Sequence, residues 1–269
     1  MRAHRQIRAG LPRTAAVWVV VLLGLTAPPD VAAQDEPEPV MDVLRTADGA
    51  VPPEDFGTAI GHVVDDAGRI VAFTTSVGGV LNDQPDDNDA SDVYIWDRAD
   101  GRTRLISTAN GSDAAADGPA TNPRISRDGR YVFYLSDSTN GAPQPNTRDD
   151  GSRLGTMLLR YDVDRGTTEL VTRSVDDRRA CGQVNSNESV FGARAPFEIA
   201  DDGSAVAFTA RCPDLVYPAE DTTAWFNDEL YLWREGRGVD WLSEGIPAPT
   251  AQDPHVGSGV RHVVRGISS

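Results

Sequence analysis

The segment from Asp83 to Asp92 is the part of the sequence richest in possible metal ligands. Within it, Asp86, Asn88 and Asp92 occupy the first, third and seventh positions of a loop, a spacing that lets oxygen atoms surround Ca²⁺. The segment lacks the turn glycine and the final glutamate of an EF-hand loop. The alternative is a solvated loop whose Asp and Asn side chains bond to their own backbone, and the sequence favours this alternative. We expect no other cofactor.

The chain contains two cysteines, Cys181 and Cys212. In an exported chain an even pair indicates one disulfide, because the compartment is oxidising. Two unpaired buried thiols, or one reactive thiol, are the alternatives. A structural zinc site is not expected, because none of the histidines stands at ligand spacing to the cysteines.

The sequence contains no motif that joins a nucleophile to its base: it has no Gly-x-Ser-x-Gly elbow, no His-Glu-x-x-His and no phosphate-binding loop. Ser258 lies between His255 and His262, but nothing nearby would orient a base. We therefore expect no catalytic residue and no enzyme activity. Trp225 and Phe226 lie in a long polar segment, where they are candidates for contact with a partner.

The elements that position these residues form an internal repeat. Three acidic turns containing glycine separate extended stretches, and their marker residues are Asp66 and Gly68, Asp128 and Gly129, and Asp202 and Gly203. Such a turn predicts a β-hairpin, because glycine adopts positive φ without a Cβ clash. In the first copy Ala67 stands between Asp66 and Gly68, which predicts one inserted residue and a bulge.

Each turn is followed by an aromatic strand and then by a short final strand. The predicted aromatic strands are Asp92–Asp97, Leu158–Asp162 and Glu229–Trp233, and the predicted final strands are Thr103–Ser107, Thr168–Thr172 and Val239–Ser243. With the strands on either side of the turn, each unit has four antiparallel strands, which is the composition of a propeller blade. The aromatic side chains of these strands are expected to pack between blades.

The run Pro123–Phe133, with its Pro-x-Ile-Ser-x-Asp-Gly-Arg start, and the run Ser91–Asp97 resemble the repeat of TolB-like (WD-repeat-like) β-propellers. The resemblance covers roughly residues 60–245 and is limited to the repeat array. It implies an all-β propeller of four-stranded blades and protein–protein work at the cell envelope. The turn glycines are 61 and 74 residues apart, more than the ~40–45 residues of a WD-type blade, so long loops are expected in each unit.

The repeats predict the following organisation of the chain. Residues 1–33 are a signal peptide, 34–59 an N-terminal segment with an orphan outer strand, 60–109 blade 1, 110–174 blade 2, 175–245 blade 3, and 246–269 the truncated start of a further blade. Three full blades and two fragments do not close a ring. The sequence favours a fragment of a longer protein over self-association or an open array.

The first 33 residues combine a basic stretch, an apolar run and small residues ending at Ala33, the pattern of a secretory signal peptide. Cleavage after Ala33 would leave no membrane span and place the protein in the periplasm, at the envelope or outside the cell. An uncleaved anchor is the alternative. The formal net charge of −16 argues against nucleic acid as a partner, because nucleic acid is itself a polyanion.

We therefore expect an exported, non-catalytic scaffold that binds a protein or a small ligand. The alternatives are the propeller portion of a larger secreted hydrolase, peptidase-like or glycan-active, and a truncated product without function.

Overall fold

The computed structural model describes residues 50, 63–76, 83–182, 184, 197–216 and 229–243. In these ranges the regular structure is β-strand, apart from one 3₁₀ helix, Pro213–Leu215. No helix in this part of the chain has the length and apolar character to cross a membrane. The predicted signal peptide, most of segment 34–59, all of segment 246–269, and Trp225 and Phe226 lie outside the described residues.

The strands of the described ranges form three antiparallel sheets, each a simple meander. Sheet 1 contains β1 (Ile70–Thr75), β2 (Asp92–Asp97) and β3 (Arg102–Leu105). Sheet 2 contains β4 (Ala120–Ile125), β5 (Tyr131–Ser136), β6 (Met157–Asp162) and β7 (Thr167–Leu170). Sheet 3 contains β8 (Phe197–Ile199), β9 (Ala205–Ala210), β10 (Glu229–Arg234) and β11 (Gly238–Trp241). The prediction of antiparallel β-sheets is confirmed for the described residues; sheets 2 and 3 have the predicted four strands, and sheet 1 has three.

The pairing beside the acidic turn shows that the three repeats share one register, and in sheet 3 the pair is Ile199 with Val206. In sheet 2, Ile125 pairs with Val132 next to the turn. Sheet 1 has an antiparallel bridge from Val64 to Val71 at the same place, so its first strand is reduced to one described pair. Residues at equivalent positions of the three sheets can therefore be compared directly.

The three acidic turns have the same backbone. The glycine N–H donates to the carbonyl three residues earlier, at 2.9–3.0 Å, in the pairs Gly68 to Asp65, Gly129 to Ser126 and Gly203 to Ala200. The three glycines have φ of 63°, 76° and 68°, the left-handed region that favours glycine. Ala67 therefore occupies the place of Asp128 and Asp202, and the predicted insertion is wrong.

The first turn keeps the same backbone because Asp65 holds the position of Ser126 and makes the same hydrogen bond. Its Oδ1 accepts the N–H of Ile70 at 2.9 Å, just as the Ser126 hydroxyl accepts the N–H of Tyr131 at 2.9 Å. Each side chain closes its turn with one hydrogen bond to the start of the following strand.

Sheet 2 is buried on both sides, which explains why β5 is apolar along most of its length. Val132 and Tyr134 pack against sheet 1, whereas Tyr131, Phe133 and Leu135 pack against sheet 3. We call the side of a sheet that contacts the preceding sheet its leading face and the opposite side its trailing face. Burying one such large side chain contributes roughly 1.5–3 kcal/mol, so these two interfaces hold the array together.

A buried arginine lies at the interface between sheets 2 and 3. The Arg160 guanidinium is placed 4.4 Å from the Tyr131 ring and 4.7 Å from the Trp233 ring. It donates to Glu169 at 2.7 Å, to Glu235 at 3.0 Å and to the carbonyl of Gly203 at 3.3 Å. Because Trp233, Glu235 and Gly203 belong to the third repeat, this one side chain ties the two sheets together.

Candidate functional site

The acidic turns of the three sheets are joined to one another by backbone hydrogen bonds. The N–H of Asp66 donates to the carbonyl of Arg127 at 2.9 Å, and the N–H of Arg127 donates to the carbonyl of Asp201 at 2.8 Å. These residues hold the same position in successive turns. We call Asp66, Arg127 and Asp201 the turn row.

The side chains of the turn row carry alternating charges. The Arg127 Nε lies 3.0 Å from a carboxylate oxygen of Asp201, and its Nη1 lies 3.9 Å from one of Asp66. All three side chains are exposed. Exposed ion pairs of this kind stabilise a fold by only about 0–1 kcal/mol. The row is therefore a poor explanation of stability and a candidate for recognition of a charged partner.

Two further aspartates flank the row. Asp202 accepts hydrogen bonds from the Ser204 hydroxyl at 2.7 Å and from the Ser204 N–H at 2.9 Å. These bonds lower the pKa of Asp202, because they favour the ionised carboxylate. Asp128 accepts the hydroxyl of Ser126 at 2.6 Å. Both carboxylates are thus held in place by their own turns.

The structure places the three candidate calcium ligands near one another but engages each in hydrogen bonds. Asn88 turns its nitrogen, not its oxygen, toward Asp92, at 2.8 Å, and its Oδ1 accepts the N–H of Ala90 at 2.7 Å. Asp86 accepts the hydroxyl of Tyr94 at 2.6 Å. Within the described ranges no group of three or more His, Cys, Asp or Glu residues is placed to hold a metal ion. The solvated loop stays the favoured prediction for this segment, with calcium binding as its alternative.

Asp92 is fully buried at the start of β2. It accepts the hydroxyl of Ser107 at 2.5 Å, and burial raises the pKa of its carboxyl to about 6. Ser107 in turn accepts the N–H of Val93 at 3.0 Å. The third repeat repeats the arrangement, since Ser243 donates to Glu229 there. Asp92 therefore has a local structural role at the junction of β2 and the end of β3.

Cys181 and Cys212 form a disulfide, with their Cα atoms 5.9 Å apart. Cys181 precedes sheet 3, and Cys212 lies two residues beyond the end of β9. The second repeat has Ala116 and Ser138 at these positions, and the N–H of Ala116 bonds to Ser107 as that of Cys181 does to Thr172. The bridge thus crosslinks a site that the preceding repeat builds without a covalent bond.

A polar groove of about 520 Å³ lies between the first and second repeats. Its lining consists of the turn 108–113, Gly141 and residues 166–168. Ser112 and Thr168 supply hydroxyl groups to it. A small polar ligand would meet hydroxyl and backbone groups here, so the groove is a second candidate place for binding.

Sequence reasoning did not single out Arg127 or Arg160. Arg127 precedes the predicted turn residue Asp128. The alignment of the turns gave its place in its own repeat, but it did not show its contacts with Asp66 and Asp201 of the other repeats. Arg160 lies in a predicted strand between apolar residues, and an arginine inside such a strand is the sign that could have marked it.

No protein-family model matches the chain, and no curated protein matches it. Among solved structures, TolB from Acinetobacter baumannii matches with 16% identity and a TM-score of 0.34, over 68% of this chain and 32% of that one. An oligogalacturonate lyase from Vibrio parahaemolyticus matches with 11% identity and a TM-score of 0.38, over 74% and 46%. An acylaminoacyl peptidase from Pyrococcus horikoshii matches with 12% identity and a TM-score of 0.32, over 66% and 24%. The chain spans less than half the length of each of these three proteins.

Proposed function

We propose that the chain is an array of β-propeller blades that acts as an exported, non-catalytic scaffold and binds a protein partner through its turn row. The observation that carries this proposal is the alignment of Asp66, Arg127 and Asp201. Three exposed charged side chains are fixed in line by backbone hydrogen bonds from one sheet to the next. Such a row presents a preorganised charged surface, which lowers the cost of binding.

The expected partner surface is basic. Asp66, Asp201 and Asp202 outnumber Arg127 in and beside the row, and the whole chain has a net charge of −16. Complementary charge mainly raises the rate of association and selects the partner. The disulfide between Cys181 and Cys212 supports export, because disulfides persist in oxidising compartments.

The test places a photoreactive amino acid in the chain, expressed with its own N-terminus in a host that exports it. Position 66 probes the turn row, Ser112 probes the groove, and Val175 serves as an exposed control. We expect a discrete crosslinked product at position 66 and none at position 175. The product should be reduced by 0.5 M salt, which screens exposed charges to a Debye length of roughly 4 Å.

Crosslinking at Ser112 alone would contradict partner binding through the turn row and would favour a ligand in the groove. A chain retained in the cytoplasm would contradict export. Cleavage of a peptide or pectin substrate that stays with the chain through further purification would contradict the non-catalytic part of the proposal.

A further inference from the structure

A second arginine between sheets 2 and 3 is as deeply buried as Arg160 but lacks its hydrogen bonds. Arg124 lies near the end of β4, and the next residue, Ile125, packs against sheet 1. Because successive side chains of a strand point to opposite faces, Arg124 is on the trailing face of sheet 2. There its guanidinium is centred 6.0 Å from the ring of Phe197. The Arg124 side chain is 9% exposed, and that of Arg160 is 8% exposed.

The Arg124 guanidinium makes no hydrogen bond to another residue of the described ranges. Its Nε is buried without an acceptor, and its Nη1 lies 3.9 Å from a carboxylate oxygen of Glu198, too far for a hydrogen bond. Burial lowers the pKa of Arg124, and the attraction of Glu198 offsets this effect only in part. A buried donor without an acceptor costs free energy, so this cation needs an acceptor that the described residues do not supply.

The backbone immediately before Arg124 is irregular. The pairing of β4 with β5 shifts between Thr121 and Arg124. Within the shift Asn122 has a φ of 56°, in the left-handed region that residues other than glycine seldom adopt. In sheet 3 the equivalent residue is Glu198, and the described part of β8 pairs without a shift. A bulge re-aims the side chain beside it, so the direction of Arg124 is set by a feature particular to β4.

We propose that Arg124 binds a carboxylate ligand at the edge between sheets 2 and 3. In the described ranges β4 and β8 are the terminal strands of their sheets, and the exposed 9% of the Arg124 side chain can be reached from solvent. The two oxygens of a carboxylate accept two parallel hydrogen bonds from one guanidinium. The ligand thus supplies the acceptors that Arg160 obtains from its own chain.

A singly charged carboxylate fits this position better than a phosphate. Glu198 stands beside Arg124 and repels a dianion about twice as strongly as a monoanion. The carboxylate belongs either to a small organic acid or to the C-terminus of a peptide, because both present the same pair of oxygens. The site is separate from the turn row and does not depend on the function proposed above.

The test compares the melting temperature of the full chain in sodium acetate and in sodium chloride at equal ionic strength. Acetate should raise it by roughly 3–5 °C at about ten times its dissociation constant, because it binds the folded state. Arg124→Val installs the residue that the first repeat has as Val63, and it should abolish the shift. Arg124→Lys keeps the charge but loses the paired donors, so it should bind acetate roughly tenfold more weakly. Arg178→Val is the matched control, since Arg178 is 83% exposed.

Three further measurements define the ligand. Glu198→Gln should bind acetate roughly threefold more tightly, because it removes a negative charge beside the site. Sodium phosphate should bind more weakly than acetate. N-acetyl-alanyl-alanine is compared with its C-terminal amide: a shift with the acid alone supports a peptide C-terminus, and a shift with acetate but not with the peptide supports a small acid.

Equal melting temperatures in acetate and chloride would overturn the proposal. It is also overturned if the acetate shift persists in Arg124→Val, or if Arg178→Val loses the shift to the same extent. Tighter binding of phosphate than of acetate would overturn the assignment to a carboxylate, and unchanged acetate affinity in Glu198→Gln would show that the anion binds away from Arg124.

Discussion

The guanidinium of Arg160 on β6 is centred 4.7 Å from the ring of Trp233 on β10 of the neighbouring sheet. It also lies 4.4 Å from the ring of Tyr131, so the cation contacts two aromatic rings. The equivalent residues of the other sheets are Ile95 and Leu232. An aliphatic side chain therefore fits this position of the repeat. Arg160 adds polar contacts at a position where the other two sheets pack an apolar side chain.

Arg160→Ala is expected to lower the free energy of unfolding by about 3 kcal/mol, because it removes a buried cation–π contact and charge-assisted hydrogen bonds. Arg160→Leu should cost less, about 1–2 kcal/mol, since it keeps most of the packing. Urea unfolding followed by tryptophan fluorescence measures both. Arg165→Leu is the control, because the Arg165 side chain is exposed and its Nε lies 3.8 Å from the Asp162 carboxylate. Equal losses for Arg160→Ala and the control would contradict the role of Arg160.

Asp92 should make the protein less stable as pH rises. Burial raises its pKa from 3.8 to about 6, so between these values the folded state binds a proton that the unfolded state has released. Stability from this group is then lost as pH rises through the window, by roughly 2–3 kcal/mol in total. Between pH 4.5 and pH 7.5 the free energy of unfolding of the wild type should therefore fall relative to that of Asp92→Asn.

Asp176 offers a control of opposite sign. The hydroxyl of Ser174 lowers the pKa of Asp176, so its contribution is lost as pH falls into the acid range. Asp176→Asn should change the stability difference only there. A wild-type advantage over Asp92→Asn that is the same at both pH values would show that Asp92 does not titrate in the window.

The disulfide can be removed without introducing foreign side chains. Cys181→Ala with Cys212→Ser installs the pair that the second repeat has as Ala116 and Ser138, so the variant is expected to fold. The bridge spans 31 residues, and losing a loop of that length costs about 3–4 kcal/mol by the chain-entropy relation. Thermal unfolding with and without reductant measures the effect. Reductant should destabilise the wild type to the level of the variant and leave the variant unchanged; a further loss in the variant would contradict this assignment.

Two turn glycines distinguish backbone conformation from contact between sheets. Gly68 and Gly203 both have positive φ, so alanine at either position costs about 1 kcal/mol. A Cβ at Gly203 would lie 2.7 Å from the Tyr131 ring, whereas one at Gly68 meets nothing within 4 Å. Gly203→Ala should therefore cost about 1–3 kcal/mol more than Gly68→Ala. Equal losses in urea unfolding would mean that the two sheets separate easily at this turn.

The strands were predictable because their determinants are local. The aromatic strand predicted at Asp92–Asp97 has those bounds in the structure, and the strand predicted at Glu229–Trp233 ends one residue later. The turn at Asp65–Gly68 was misaligned because Asp66 was matched with Asp128 and Asp202, whereas Ala67 holds that position in the structure. Arg160 and Arg127 escaped prediction for another reason: each acts on residues of a neighbouring repeat, and their distances depend on how the sheets stack.

The hydrogen bonds from Asp66 to Arg127 and from Arg127 to Asp201 give the stack a polarity, like that of a filament whose subunits all point the same way. A repeat duplicated in the middle of the array would bring one donor and one acceptor at the correct ends and would disturb neither terminus. A repeat inserted in the reverse orientation would set two N–H groups or two carbonyls against each other. The backbone of the turns therefore allows the array to lengthen or shorten by whole repeats, but in one orientation.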